Sequence, residues 1–323
     1  MTKFTDLGLA ERLLRAISEE GYETPTPVQA GVIPAMLDGR DVVGIAQTGT
    51  GKTAAFVLPL LQEILTRKGR NAPRTCAALI LAPTRELANQ IDESIRTYGR
   101  HVRHSTAVVI GGARPGPQVR AMARGVDIVI ATPGRLLDHM STGAIKLDET
   151  TSVVLDEGDQ MLDLGFMPAI RKIMAKLPRD RRTVLLSATM PKQIRALADD
   201  FLTDPLEVSV TPAARPIEKI DQRVVMVEKS GKRDALVDAL SGPEVESAIV
   251  FTRTKRGADR VCRHLEEADI KAGAIHGNKS QNQRERTLSA FKKGRIRVLV
   301  ATDIAARGID IDGVTHVVNF ELP

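Results

Sequence analysis

The chain reads as an α/β protein of two units, each a parallel sheet covered by helices on both faces. Three observations predict this. Strand-length apolar runs alternate with helix-length periods along the whole chain, the pattern of a wound parallel sheet. Several runs are apolar throughout, Ser152-Val153-Val154-Leu155 and Thr183-Val184-Leu185-Leu186 among them, as strands buried on both faces are. One Pro-rich segment, Thr211-Pro212-Ala213-Ala214-Arg215-Pro216, carries little apolar periodicity and divides two such series.

In the first unit, residues 1–207, strands are predicted at 42–46, 77–82, 106–110, 126–131, 152–156 and 183–187. Helical periods fill the gaps at 8–20, 54–67, 86–98, 117–123, 134–140, 168–175 and 191–201. The linker is placed at 208–217, over the Pro-rich segment between Pro205 and Pro216 and the residue after it. The second unit, 218–323, repeats the alternation with strands at 222–227, 247–251, 272–275, 296–301 and 315–319 and helices at 231–240, 256–267 and 281–292. The two halves resemble a loose duplication of one α/β unit, with no short-period repeat.

Composition narrows the function classes. A length of 323 residues suggests two domains, and 42% hydrophobic content is enough for two cores. The two cysteines, Cys76 and Cys262, stand far apart in no metal spacing. That argues against a disulfide scaffold or zinc site and for a reducing, cytoplasmic setting. No apolar run approaches the ~18 residues of a membrane span, and Met1-Thr2-Lys3-Phe4 opens no signal peptide. The net charge of +6 divides about evenly between the halves. It is therefore a surface property of both, which suits a polyanion held across two domains.

The motifs sharpen this. After Asp41-Val42-Val43-Gly44-Ile45 comes Ala46-Gln47-Thr48-Gly49-Thr50-Gly51-Lys52-Thr53, then a helical run from Ala54. Strand, Gly-rich loop and helix form a phosphate cradle from backbone N–H groups and a helix N-terminus. Lys52 would reach the β/γ-phosphates and the Thr53 hydroxyl would ligate Mg²⁺. Thr48, Gly49, Thr50 and Gly51 would wrap the phosphates. Ala46 stands where the strict pattern has its first Gly.

The run 152–155 ends in Asp156-Glu157-Gly158-Asp159. Ligands of parallel sheets sit at the carboxyl ends of strands, so this run and the Gly-rich loop share an edge. Asp156 would hold the hydrated Mg²⁺, and Glu157 would orient and deprotonate an attacking water. Ser187-Ala188-Thr189 follows another buried strand. Its hydroxyls, near Asp159, would link the nucleotide state to the domain interface.

On these residues the chain resembles a DEAD-box RNA helicase of superfamily 2, of the bacterial RhlE-like group, from Phe4 to its last residue. Ala46–Thr53 resembles motif I, where this family normally has Ala first. Asp156–Asp159 resembles motif II, with Gly158 in place of the family's Ala. Ser187-Ala188-Thr189 resembles motif III. Gly21-Tyr22-Glu23-Thr24-Pro25-Thr26-Pro27-Val28-Gln29, with Phe4 upstream, resembles the adenine-recognition segment. The Gln29 amide can pair with the N6/N7 edge of adenine, and Tyr22 would stack on the base.

The resemblance implies two RecA-like domains, the second incomplete. It implies an ATP-dependent RNA helicase that uses Mg²⁺, binds RNA without sequence preference and works as a monomer. RNA contacts are expected at Pro83-Thr84-Arg85-Glu86, Gly111-Gly112 and Thr132-Pro133-Gly134-Arg135, each after a strand. Backbone N–H groups at helix starts can meet phosphates, and Arg85 and Arg135 can fork onto them. From the second half, Arg253, Gln281, Arg284 and Thr302 match RNA-binding positions. Gly308 and Asp310, in a stretch resembling motif V, match contacts to phosphate and ribose. Aromatic content of 3% with no Trp argues against binding by base stacking.

The second half has Thr252-Arg253-Thr254-Lys255 after its strand and no Gly-Lys-Thr loop, so it is not expected to bind its own nucleotide. The family's Arg-rich motif VI, expected soon after His316–Phe320, is absent before Pro323. A truncated chain, a partial gene or a partially recorded chain is therefore expected, with an ATP-gated RNA clamp of little turnover as the alternative reading for such a form.

Overall fold

The computed structural model describes residues 2–67, 69–210, 220–228, 230–302, 311 and 313–321. A 3-10 turn, Phe4–Leu7, precedes α1 (Glu11–Glu19) and α2 (Pro27–Leu37). There follow β1 (Val42–Ile45), α3 (Lys52–Thr66), β2 (Cys76–Leu81), α4 (Arg85–Tyr98), β3 (Thr106–Val109), α5 (Pro115–Met122), β4 (Val126–Ala131) and α6 (Pro133–Ser141). The first unit closes with β5 (Ser152–Leu155), α7 (Gly158–Asp163), α8 (Met167–Met174), β6 (Arg182–Ser187), α9 (Lys192–Phe201) and β7 (Leu206–Ser209). Contacts divide the chain into Met1–Pro216 and Ile217–Pro323.

The first sheet has the order β3-β4-β2-β5-β6-β1-β7, all parallel. Alternate residues of its strands enter two cores. Ile80, Val154 and Leu186 face a layer built from α2, α3 and α4. Leu79, Val153 and Leu185 face a layer built from α6, α8 and α9. Each fully buried Leu or Ile contributes about 1.5–3 kcal/mol, so both faces fix the register.

The second unit contains α10 (Lys232–Ser241), β8 (Ala248–Thr252), α11 (Lys255–Glu267), β9 (Ala272–Ile275), α12 (Gln281–Lys292), β10 (Val298–Thr302) and β11 (His316–Asn319). Its strands run parallel in the order β11-β8-β10-β9.

Four expectations need correction. Residues 208 and 209 belong to β7, not to a linker: Leu206–Ser209 pairs along β1, with Leu206 and Val208 against the first core. The remainder of the linker, 211–219, lies outside the described residues. The strand expected at 222–227 does not form among them. Val224, Val225 and Met226 are exposed there, and a strand without a hydrogen-bonded neighbour has no partner for its backbone. Helix α2 had no place among the predicted helices because it is apolar nearly all round, so no period marks it. Helix α7 is too short to show one.

Candidate functional site

Strand order sorts the polar loops of the first sheet into two groups. At the carboxyl ends of the adjacent strands β5, β6 and β1 stand Asp156–Asp159, Ser187–Thr189 and Ala46–Thr53. At those of β2, β4 and β3 stand Pro83–Arg85, Thr132–Arg135 and Gly111-Gly112.

The Ala46–Thr53 loop turns through two left-handed glycines, Gly49 (φ 78°) and Gly51 (φ 86°), a conformation that an L side chain resists. Gly51 caps α3 with no side-chain hydrogen bond, which leaves the helix start to other partners. Lys52 is buried, and its Nζ donates to the Ala46 carbonyl at 2.7 Å. An ammonium has three donors, so two remain for phosphate oxygens. Thr50 Oγ1 donates to the Gln47 carbonyl at 2.7 Å. Thr48 and Gly49 are exposed, and Thr53 is partly so.

Asp156 is buried at the end of β5 and accepts the Glu157 N–H at 3.0 Å. Burial pushes its carboxyl up to about 6, against the attraction of Lys52. A buried carboxylate with a neighbouring hydroxyl-bearing loop is a hard oxygen donor set, so Asp156 and Thr53 fit a divalent cation of the Mg²⁺ type. Glu157 is buried in the left-handed region (φ 55°, ψ 54°) and caps α7. A non-Gly residue there stores about 1–3 kcal/mol of strain, a frequent mark of working residues.

Asp159 joins motif-II-like and motif-III-like segments. Its N–H donates to Ser187 Oγ at 3.1 Å, and its Oδ2 accepts the Thr189 N–H at 2.9 Å and hydroxyl at 2.8 Å. These bonds tie the end of β5 to the end of β6.

Gln29 is buried beside this loop. Its Oε1 accepts the Thr26 N–H at 2.9 Å, and its Nε2 donates to the Gly51 carbonyl at 3.1 Å. Thr26 Oγ1 accepts the Gln29 N–H in return, a capping box. Sequence reading passed over Thr26, although Thr-x-x-Gln before an apolar run is its signal. Tyr22 is 47% exposed and lies 6.4 Å from Tyr98, ring to ring. Phe4, expected at the nucleotide, is 5% exposed and packs in the first core.

In the second group of loops, Thr84 caps α4 by accepting the Leu87 N–H at 3.2 Å, and Pro83 is buried. Gly112 is left-handed (φ 75°), and a Cβ there would collide with the Arg85 guanidinium. Gly134 opens onto free space. The Arg135 side chain is 13% exposed, and its Nη1 donates to the Ala113 carbonyl of the neighbouring loop at 2.9 Å.

In the second unit, Arg253 follows β8, its N–H donating to Glu321 Oε2 at 2.9 Å. Thr302 ends β10 and is buried. Gln281 begins α12, is buried and donates to Glu285 Oε1 at 3.0 Å; Arg284 lies one turn on. All four sit toward the carboxyl edge of the second sheet. Gly308 and Asp310 lie outside the described residues.

A phosphate-binding loop on a parallel sheet, with an Asp-Glu pair on the same edge, defines a RecA-like nucleotide-binding fold. The sequence profile of the DEAD/DEAH box helicase family matches residues 26–197, and that of the helicase conserved C-terminal domain matches 231–323. The chain belongs to the DEAD/DEAH box helicase family. It is 43% identical over its whole length to the DEAD-box ATP-dependent RNA helicase CshA of Bacillus cereus, covering 61% of that protein. It is equally similar to the ATP-dependent RNA helicase DeaD of Escherichia coli, covering 51%. The chain thus spans between half and two thirds of the length of these relatives. Among solved structures, Saccharomyces cerevisiae Dbp5 bound to RNA and ADP BeF3 matches all of this chain and 81% of its own, with a TM-score of 0.87 and 30% identity. A DEAD box protein from Methanococcus jannaschii matches with 37% identity and a TM-score of 0.61, over 86% of its own chain.

Proposed function

We propose that this chain is the ATP-hydrolysing, RNA-binding core of a helicase that separates short RNA duplexes. The observation that carries the reading is the division of the first sheet's carboxyl edge. Three adjacent strands present phosphate and acid chemistry, and the next three present backbone-rich loops at helix starts.

The loop Thr48–Thr53 binds the ATP phosphates, with Lys52 on the terminal ones. Gln29 retains one N–H and one Oε1 lone pair toward adenine, and Tyr22 covers the base. Asp156 and Thr53 would hold Mg²⁺, which supplies charge neutralisation on the phosphates. Glu157 takes a proton from the attacking water. Asp159, Ser187 and Thr189 relay the change in occupancy. Thr84, Arg85, Gly111, Gly112, Thr132 and Gly134 hold the RNA backbone, with Arg253, Gln281, Arg284 and Thr302 from the second unit and Gly308 and Asp310 on the nucleotide. The protein acts as a cytoplasmic monomer. Two buried free cysteines, Cys76 and Cys262, suit a reducing compartment.

Phosphate release measured with no nucleic acid, with single-stranded RNA and with DNA of matched sequence tests this. RNA should stimulate turnover and DNA should not. Turnover indifferent to RNA, or raised equally by DNA, would sink the reading.

A further inference from the structure

We propose that Gln118 and His139 form a buried positioning link that holds the Gly111-Gly112 loop and the start of α6 as one RNA-binding surface. The inference rests on the RNA reading above.

Neither residue faces solvent: Gln118 is 7% exposed and His139 4%. Gln118 Nε2 donates to the Ile110 carbonyl, one residue before the glycine pair, at 3.0 Å. That bond fixes the amide's orientation and turns its Oε1 toward His139. His139 Nε2 lies 3.2 Å from Oε1, and only an imidazole carrying its proton on Nε2 can donate there. Burial, with help from Arg135, pushes the imidazole pKa below its ordinary value, which keeps the ring neutral in this arrangement.

His139 lies one turn along α6 from Arg135, whose Nη1 holds the Ala113 carbonyl on the far side of the glycines. Between them, Thr132 Oγ1 accepts the Gly111 N–H at 3.4 Å. The loop is therefore gripped at Ile110, Gly111 and Ala113, all from α5 and the start of α6. Gly112, left ungripped by these bonds, is the residue that rises over Arg85. A buried polar pair is tolerated when its members are hydrogen-bonded, as both are here, and such a satisfied network is rigid. Here it fixes the spacing between two loops that must meet successive phosphates. Neither side chain is placed to touch RNA, so both are positioning residues.

The experiment compares Gln118→Leu, His139→Leu, the double variant and His139→Gln, whose amide N–H can replace Nε2–H. RNA-stimulated ATPase is measured against RNA and against ATP concentration, with thermal melts alongside. Gln118→Leu and His139→Leu should each raise the RNA half-saturation about tenfold, the effect of losing a buried hydrogen bond that orients a site. The double variant should be no worse than either single one. His139→Gln should stay near the parent, and ATP half-saturation should hold within about twofold in all of them. Folded variants with parental RNA half-saturation would overturn the proposal. So would RNA and ATP half-saturations rising together. A parent chain that RNA does not stimulate would instead sink the functional reading, and this link with it.

Discussion

Two strand-to-helix junctions occupy matching places in the two sheets and do opposite things. After β1 the chain runs through Ala46–Gly51 and starts α3 from a left-handed Gly51 that makes no side-chain cap. After β8 it passes only Arg253 and Thr254 before α11. Thr254 is extended, and its hydroxyl accepts the Gly257 N–H at 3.0 Å. A helix N-terminus offers unsatisfied N–H groups. At Thr254 the protein closes one of them with its own side chain; at Gly51 it leaves them for a ligand. Elsewhere the cap alone does not sort the sites: α7 starts from left-handed Glu157 without a side-chain cap, but so do α1, α5, α6, α8, α9 and α10 start without one, while α4 and α12 carry the hydroxyl caps Thr84 and Ser280. At these two junctions topology supplies the place, and the capping residue and the length of the loop before the helix differ.

The largest expected effect tests the open junctions as catalytic. Glu157→Gln keeps the side chain's size but cannot take a proton from water. It should lower RNA-stimulated turnover about 10²–10⁴-fold, leaving ATP binding near the parent. Single-turnover hydrolysis checks it, and brisk turnover would remove Glu157 from the base role.

The next pair breaks or confirms the comparison directly. Lys52→Ala should weaken ATP binding by about 1.5–3 kcal/mol, the range of hydrogen bonds to charged groups. Lys255→Ala, at the matching position on α11, loses only a bond to Asn278 Oδ1 at 3.0 Å. It should leave ATP affinity unchanged. Equal losses in a nucleotide titration would mean that the second junction is not closed.

A smaller effect concerns Asp156, measured without Mg²⁺ or nucleotide. Its folded value is about 6 and an unfolded Asp titrates near 3.9. Between these the folded chain holds a proton that the unfolded chain has lost. Stability therefore falls as pH rises from about 4 to about 6 and is level above that. Asp156→Asn removes the titration. It should stabilise the first unit by about 1–2 kcal/mol at pH 7–8 and give no gain below about pH 4. Denaturant melts at the two pH values decide it; a gain that grows on acidification would contradict the burial argument.

Much of this site was legible because its signals are local. Gly49, Gly51, Lys52 and Thr53 are contiguous, and continuous apolar runs place Asp156 and Ser187 at strand ends. What was not legible depends on neighbours. Leu206–Ser209 is a strand because it pairs along β1, whereas the more apolar Val224–Val227 finds no strand partner among the described residues. That Phe4 packs in the first core and that Arg135 holds the Ala113 carbonyl depend on neighbours distant in sequence. Gln118 and His139 sit in ordinary amphipathic helices, and only the folded loop shows what they hold.

The smallest expected effect is at Gly158, where the comparison turns on a single backbone angle. Glu157 before it is left-handed, but Gly158 begins α7 outside that region, so an L side chain meets no backbone strain there. A Cβ would meet Leu185 Cδ1 at 3.0 Å, the Leu186 carbonyl at 3.7 Å and Ile194 Cδ1 at 3.8 Å. Only the first is tight, and it is the free end of a side chain that can shift. Ala in place of Gly in a helix gains about 0.5–1 kcal/mol, part of it by restricting the unfolded chain. Crowding Leu185 subtracts from this, so Gly158→Ala should stabilise by about 0.5 kcal/mol. ATP affinity should not move, because Asp156 and Glu157 keep their backbone. A variant that melts earlier than the parent would show that Leu185 is too firmly packed to yield. Glycine would then be required here by the core on which α7 rests rather than by the turn that opens it.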